Sequence, residues 1–157
     1  ITEGGSVGVN GLLLAREYDY DNGTDCLTIL LPSGRKLYYI NPSIGQNEWG
    51  RPSISYMGMD QKTKRWKRIE TYGGKLVENC VQAIARDCLA ASIDRLEAAK
   101  LPVVFHVHDE VVIDVAPFAD EDTMLSTVCS IMGEPVPWAP DLPLKAAGWV
   151  GYYFTKD

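Results

Sequence analysis

Histidine is scarce in this chain. The 157 residues hold two, His106 and His108, so a metal cage built mainly of imidazoles is ruled out. The four cysteines, Cys26, Cys80, Cys88 and Cys129, show no CxxC spacing. Cys80 and Cys88 fall inside an apolar helical pattern, and buried reduced thiols of a cytosolic protein are the simplest reading. No stretch approaches the roughly twenty apolar residues of a membrane-spanning helix, and no signal peptide opens the sequence. A basic excess is missing too: the formal net charge is −6, which argues against a non-specific polyanion binder. Internal repeats and low-complexity tracts are absent.

What is present suits one domain or part of a larger one, with 46% hydrophobic residues to build a core. The first residue is Ile1 rather than Met, which suggests an excised piece or a processed terminus. Charge is unevenly placed. Lys62, Lys64, Arg65, Lys67 and Arg68 put five cations into seven positions, and the remaining residues sum to −11 without them. The cluster either steers phosphates or forms the solvated face of a strand or loop.

Glycines 4, 5, 8 and 11 read as loop, and Leu12 to Ala15 as an apolar stub. Residues Asp19 to Asp25 invite a calcium-loop reading. The glycine falls at the fifth position and Leu30 stands at the twelfth, so a polar turn is expected instead. Two strands at 26–31 and 35–40 are joined by Pro32-Ser33-Gly34, and residues 41–52 read as loop. Residues 53–60 and 65–72 pair as a second hairpin with the Lys-rich stretch at its tip. Gly73-Gly74 then breaks the pattern.

The clearest helix runs from Leu76 to about Lys100, ended by Pro102. At 100° per residue Val77, Cys80, Val81, Ile84 and Cys88 share an apolar face, and Lys75, Asn79, Gln82 and Arg86 share the opposite one. A second helix is expected at 121–132, with Asp120, Glu121 and Asp122 at its positive end. Residues 133–143 form a proline-rich connector, and Leu144 to Phe154 a closing strand. This order implies an α+β fold: an antiparallel sheet with a long helix packed on it.

The sequence VVFHVHDEVVIDV, Val103 to Val115, holds two apolar β-branched runs around His108, Asp109 and Glu110. Carboxylates at so apolar a tip must be solvated, paired or metal-bound, because bare burial is costly. Asp is also common in ordinary turns. His106 alternates with His108, so both rings are expected on one strand face, half of a zinc site at most. Trp66 and Tyr72 either stack on bases or pack at strand ends.

TYGGKLVENCVQAIARD (Thr71 to Asp87) followed by VHDEVVIDV (Val107 to Val115) resembles the C-terminal palm of family A, DNA polymerase I-like, DNA polymerases. LPSGRKLYY (Leu31 to Tyr39) and LPLKAAGWVGYYF (Leu142 to Phe154) are similar to the phage and prophage branch of that family. The resemblance implies that residues 1–157 are a C-terminal palm fragment, with a strand-rich hairpin region at 1–70 and the helix, catalytic hairpin, second helix and closing strand at 71–157. It implies catalytic roles for Asp109, Glu110 and His108. Asp109 would be one of two aspartates holding two Mg2+ ions, for which Mn2+ substitutes; Glu110 would support the site and His108 would lie near the primer terminus. Gln82 matches the family's minor-groove glutamine, and Asn79, Arg86 and Lys75 are looser DNA-contact matches. The implied partners are primer–template DNA, dNTPs, and upstream palm and fingers regions of the same polypeptide, with no membrane, in the cytoplasm of a bacterial host.

That assignment is chemically consistent. Nucleotidyl transfer needs metal ions to lower the primer hydroxyl's pKa and stabilise the leaving oxygen. Minor-groove acceptors are nearly alike for all base pairs, so donors such as Gln82 check duplex geometry without reading sequence. The family's second metal-binding aspartate and its fingers helix have no match before Leu76, so the fragment alone is expected to be inactive. Two other readings remain: a small metal-dependent phosphohydrolase using His106, His108 and Asp109, and a non-catalytic nucleic-acid-binding module working through Lys62 to Arg68 and the helix face.

Overall fold

The computed structural model describes residues 5–47, 49–116 and 118–155. Its fold is α+β, as expected. Six strands form an antiparallel meander in chain order: β1 (Ser6–Val9), β2 (Leu12–Asp19), β3 (Thr24–Leu30), β4 (Lys36–Gln46), β5 (Pro52–Met59) and β6 (Trp66–Thr71). Helix α1 (Gly73–Ala98) follows, then the two-stranded sheet β7 (Val103–Val107) and β8 (Glu110–Ile113), and helix α2 (Glu121–Met132). Contacts divide the chain into two compact units, residues 1–82 and 83–157, so the division falls within α1. Among the described residues no helix is long and apolar enough to cross a membrane.

In the first unit the meander follows from its turns. β1 pairs with β2 through Val9 and Leu12, leaving Asn10-Gly11 as a two-residue loop with both φ angles positive, +48° and +79°. Asn-Gly accepts that conformation and matches the twist of the flanking strands. Residues 6–9, expected as loop for their glycines, are therefore a strand, and the apolar stub extends to Asp19. At the next turn the Asp19 carboxylate accepts from the Asp21 and Asn22 amides and from Asn22 Nδ2. Asp25 is held by Arg16 through two guanidinium nitrogens, Nη2 at 2.6 Å from Oδ2. These carboxylates organise a turn, as the sequence suggested.

β4 runs on through residues 41–46, which had read as loop. Its pairing with β5 shifts register between Ile40 and Ser43, and Asn41 has φ +48°. A bulge there lets Pro42 sit in a strand without breaking the ladder. Ile29, Leu31 and Tyr39 are buried in this unit, with Thr28 beside them.

Helix α1 buries Cys80, Ala83, Cys88, Leu89, Ser92 and Leu96, whereas Val77 and Val81 are 61% and 59% exposed. The expected apolar face keeps Cys80 and Cys88 inside but loses Val77 and Val81, and Ala83, Leu89, Ser92 and Leu96 complete the buried stripe. Within it 80, 83, 88, 92 and 96 keep three-to-five spacing, and a Ser can line it because Ser92 Oγ donates to the Cys88 carbonyl. Tyr72, which is 68% exposed, lays its ring against Gly74, where an added Cβ would stand 2.9 Å from the ring.

In the second unit α1 ends in a Schellman motif. Lys100 takes φ +63°, its amide donates to the Glu97 carbonyl, and the Leu101 amide donates to the Leu96 carbonyl. Pro102 follows, as a residue that continues no helix. α2 matches its expected bounds. Residues 144–154 are not a strand: no ladder reaches them, although Phe154 packs edge-to-face on Phe105 at 5.2 Å. A Cβ on Gly148 would stand 2.9 Å from Leu125, so this segment lies against α2 instead of pairing with a sheet. Arg95 ties the connector down, donating to the Glu134 and Pro135 carbonyls at 2.8 and 2.7 Å, and Val136 is fully buried.

Candidate functional site

The hairpin forms where the sequence placed it. Val107 pairs with Glu110, so the loop is only His108-Asp109, and Glu110 is the first residue of β8. His108 has φ +53°, the left-handed region that a two-residue loop demands. Both carboxylates and the His108 ring are exposed. Neither acid is buried, so they meet no desolvation cost and stand open to solvent or to a ligand. Two short strands and a two-residue loop fix the backbone beneath them.

The hairpin's base is tied to the end of α1. The Val103 amide donates to Glu97 Oε1 at 2.7 Å, so the first residue of β7 is held by the last full turn of the helix. Arg86 Nη1 lies 3.5 Å from His106 Nε2, at the long limit of a hydrogen bond. An arginine can only donate, so in that contact His106 accepts through Nε2. Arg86, expected on the polar helix face, is thereby brought to the hairpin.

Two expectations about the hairpin are corrected. Its apolar run is not buried: Val104 is 61% and Phe105 40% exposed. The register shifts between Val103 and Phe105, which breaks the alternation that would have given β7 one inner face. A two-stranded ribbon also has few neighbours to cover it. The second correction concerns the histidines. His108 lies in the loop, outside β7, so strand alternation does not place its ring with that of His106. Among the described residues no group of three His, Cys, Asp or Glu side chains gathers as a metal site, so the zinc centre considered for a hydrolase is not assembled there.

The other candidate DNA-contact residues lie in the first unit, on α1. Gln82 and Lys75 are exposed; Lys75 Nζ pairs with Glu78 at 2.9 Å, one turn on, which raises its pKa. Asn79 is half-buried, and its Nδ2 donates to Tyr39 Oη at 3.1 Å. Burial pushes the Tyr39 hydroxyl's pKa up, and the hydrogen bond from Asn79 pulls against it. Tyr39 also stacks edge-to-face on Tyr56, at 5.0 Å. The bond thus docks the first turns of α1 onto the meander. Sequence reasoning did not single out Tyr39; its signal was the alternation in the quoted LPSGRKLYY, which puts Leu37 and Tyr39 on one face of β4.

The basic cluster caps the β5–β6 hairpin. Asp60 accepts from the Lys62 and Thr63 amides and from Thr63 Oγ1, and pairs with Lys67 Nζ at 2.8 Å. The Lys67 ammonium, with those donors, holds the Asp60 carboxyl far below the usual carboxylate range. Arg68 reaches the Asn41 carbonyl and Ser55 Oγ. Trp66, at the start of β6, is 55% exposed and not packed at a strand end. All four cysteines are free thiols.

The fold narrows the class. An α+β chain with an antiparallel sheet, a long helix and a hairpin presenting exposed acids is compatible with part of a polymerase domain. No protein-family model matches the sequence, and no solved structure matches it significantly. The chain is 48% identical over 139 residues to the DNA polymerase of Bacillus phage SP02, a match covering 88% of this chain and 20% of that protein. The chain therefore spans about one fifth of the length of the curated relative it matches. A match of that length contains α1 and the hairpin wherever it begins.

Proposed function

We propose that this chain is the C-terminal palm portion of a family A, phage-type DNA-directed DNA polymerase, and that its hairpin carries one of the aspartates of a two-metal nucleotidyl-transfer site. The observation that supports this most is the 48% identity to a phage DNA polymerase over a stretch that includes His108, Asp109 and Glu110. The geometry agrees with it: an exposed carboxylate fixed on a two-residue loop is rigid yet open to a substrate.

Asp109 and Glu110 offer hard carboxylate oxygens in a hydrated setting, which suits Mg2+ or Mn2+, ions that take oxygen ligands and keep several waters. They fit a partial ligand set, with Asp109 the direct ligand and Glu110 at its edge. When bound, the ions would lower the pKa of the primer hydroxyl and stabilise the leaving oxygen. This chain's own residues orient and position. Glu97 and the Schellman end of α1 hold β7, β7 and β8 hold the loop, and His108 stands beside the primer terminus. Gln82 donates to minor-groove acceptors, and Arg86 and Lys75 meet phosphates or sugars. Asn79, whose amide serves Tyr39, sets the position of the helix and offers its carbonyl to the duplex.

The working enzyme then needs upstream palm and fingers regions, primer–template DNA and dNTPs, and acts in the bacterial host's cytoplasm. The exposed Val104 and Phe105 are the surface on which the upstream palm would rest. The family's second metal-binding aspartate and its fingers helix have no match in these residues, so the 157 residues alone are inactive in this proposal.

The test is primer extension with the polypeptide encoded by the whole reading frame that contains these residues, comparing wild type with Asp109→Asn. The expected result is a loss of several orders of magnitude with duplex binding retained. Equal extension by both proteins would remove Asp109 from the chemistry and favour the non-catalytic nucleic-acid-binding module.

A further inference from the structure

We propose that the tip of the β5–β6 hairpin is a second polynucleotide-binding element, one that grips the phosphate backbone through Lys62, Lys64 and Arg65. The inference deepens the polymerase reading and rests on it for the choice of partner. The hairpin and its flanking groove lie wholly within the first unit.

Three observations carry it. First, the cations are sorted by the fold. Lys67 is neutralised by Asp60, and Arg68 is spent on the Asn41 carbonyl and Ser55. Among the described residues no ion pair is formed by Lys62, Lys64 or Arg65, and all three are exposed. Second, the tip is built rather than loose. Asp60 receives two loop amides and the Thr63 hydroxyl, the Lys64 amide donates to the Asp60 carbonyl at 2.8 Å, and the Asp60 amide donates to the Arg65 carbonyl at 2.9 Å. Lys64 takes φ +54° to close that loop. The Asp60 carboxylate thus spends itself on holding the loop and Lys67, leaving the charges of Lys62, Lys64 and Arg65 at the end.

Third, a groove of about 630 Å³ runs along one flank of the hairpin to the first turns of α1. Lys62, Lys67 and Lys75 line it together with Asp60. Lys67 is paired with Asp60 and Lys75 with Glu78, so the charge left for a polyanion is that of Lys62, and the groove serves as a path leading away from the cationic tip. Without the five cations at 62–68 the rest of the chain sums to −11, so the tip is a concentrated positive end on an acidic chain, which focuses the contact. Trp66 pairs with Met59 across the strands, on the face of β6 opposite Lys67, so base stacking is not part of the proposal. The contact is with phosphates and independent of sequence.

The test is fluorescence anisotropy on the 157-residue chain with a labelled primer–template duplex bearing a 5′ overhang, across a salt series. Wild type is compared with the triple variant Lys62→Gln, Lys64→Gln, Arg65→Gln, whose fold is checked by circular dichroism. Each lost phosphate contact lowers the slope of log K against log salt by about one, so the variant's slope should fall by roughly two to three, with weaker binding at every salt concentration. An unchanged slope in a folded variant would overturn the inference, as would the absence of wild-type binding at low salt. Neither result touches the polymerase reading, which primer extension by the full-length protein tests separately. A variant that unfolds is replaced by Lys62→Gln alone, whose expected slope change is about one.

Discussion

Truncating Val81 tests the orientation of α1 directly, because sequence periodicity put this residue in the core and the structure puts it in water. Val81 is 59% exposed, so Val81→Ala removes two methyl groups that are mostly hydrated already. Alanine is the better helix former by up to about 0.6 kcal/mol, and the two small effects oppose each other. The expected change is within about 0.5 kcal/mol of zero. Ile29→Ala, in the same unit, is the contrast. Ile29 is 2% exposed, and the change deletes three carbons, worth about 0.8 kcal/mol each plus the cavity left behind. The loss comes to about 3 kcal/mol, or roughly 6–12 °C in Tm for a chain of this size. Urea denaturation followed by circular dichroism reads both variants. A cost above about 1.5 kcal/mol for Val81→Ala would mean that the valine face is buried and the helix turned as the periodicity had it.

Three further outcomes follow from the same structure. Arg16 lowers the Asp25 pKa and Lys36 lowers that of Glu17, each chiefly by a side-chain hydrogen bond. A carboxylate with a depressed folded-state pKa contributes stability above its unfolded value of about 4 and loses it as pH falls through the folded value. The urea midpoint should therefore drop on acidification below about pH 4, and less steeply in Asp25→Asn. Gly11→Ala should cost about 1 kcal/mol, since φ at that residue is +79°; an unchanged Tm would refute the Asn-Gly turn. Burial raises the thiol pKa of Cys80 and Cys88. Iodoacetamide with mass spectrometry should thus label half-buried Cys129 well before either of them, and all four thiols alike in urea.

Much of the fold was legible wherever local chemistry decides. Pro32-Ser33-Gly34 marks a turn whatever surrounds it, Pro102 ends a helix, and β-branched runs around two polar residues make a hairpin. Asn10-Gly11 carries the same kind of local turn signal, masked in the sequence by the glycines around it. The candidate acids Asp109 and Glu110 were found for the same local reason. The exposure of the hairpin and the lack of a strand at 144–154 were not legible. Both depend on which surface covers a segment, and apolar side chains state a need for cover without stating its source.

The sequence by itself determined the strand–helix–hairpin–helix order, the placement of Asp109 and Glu110 at a turn, and the identity of the cationic tip, because turns, breaks and charge are properties of a few adjacent residues. Tertiary structure alone decided that Ala83 and Ser92 rather than Val77 and Val81 join Cys80 in facing inward, that Asn79 serves Tyr39, and that Glu97 holds β7. It also decided that Lys67 and Arg68 are spent while Lys62, Lys64 and Arg65 form no ion pair among the described residues. Those choices join residues far apart in the chain, and their free energy exists only once both partners are in place.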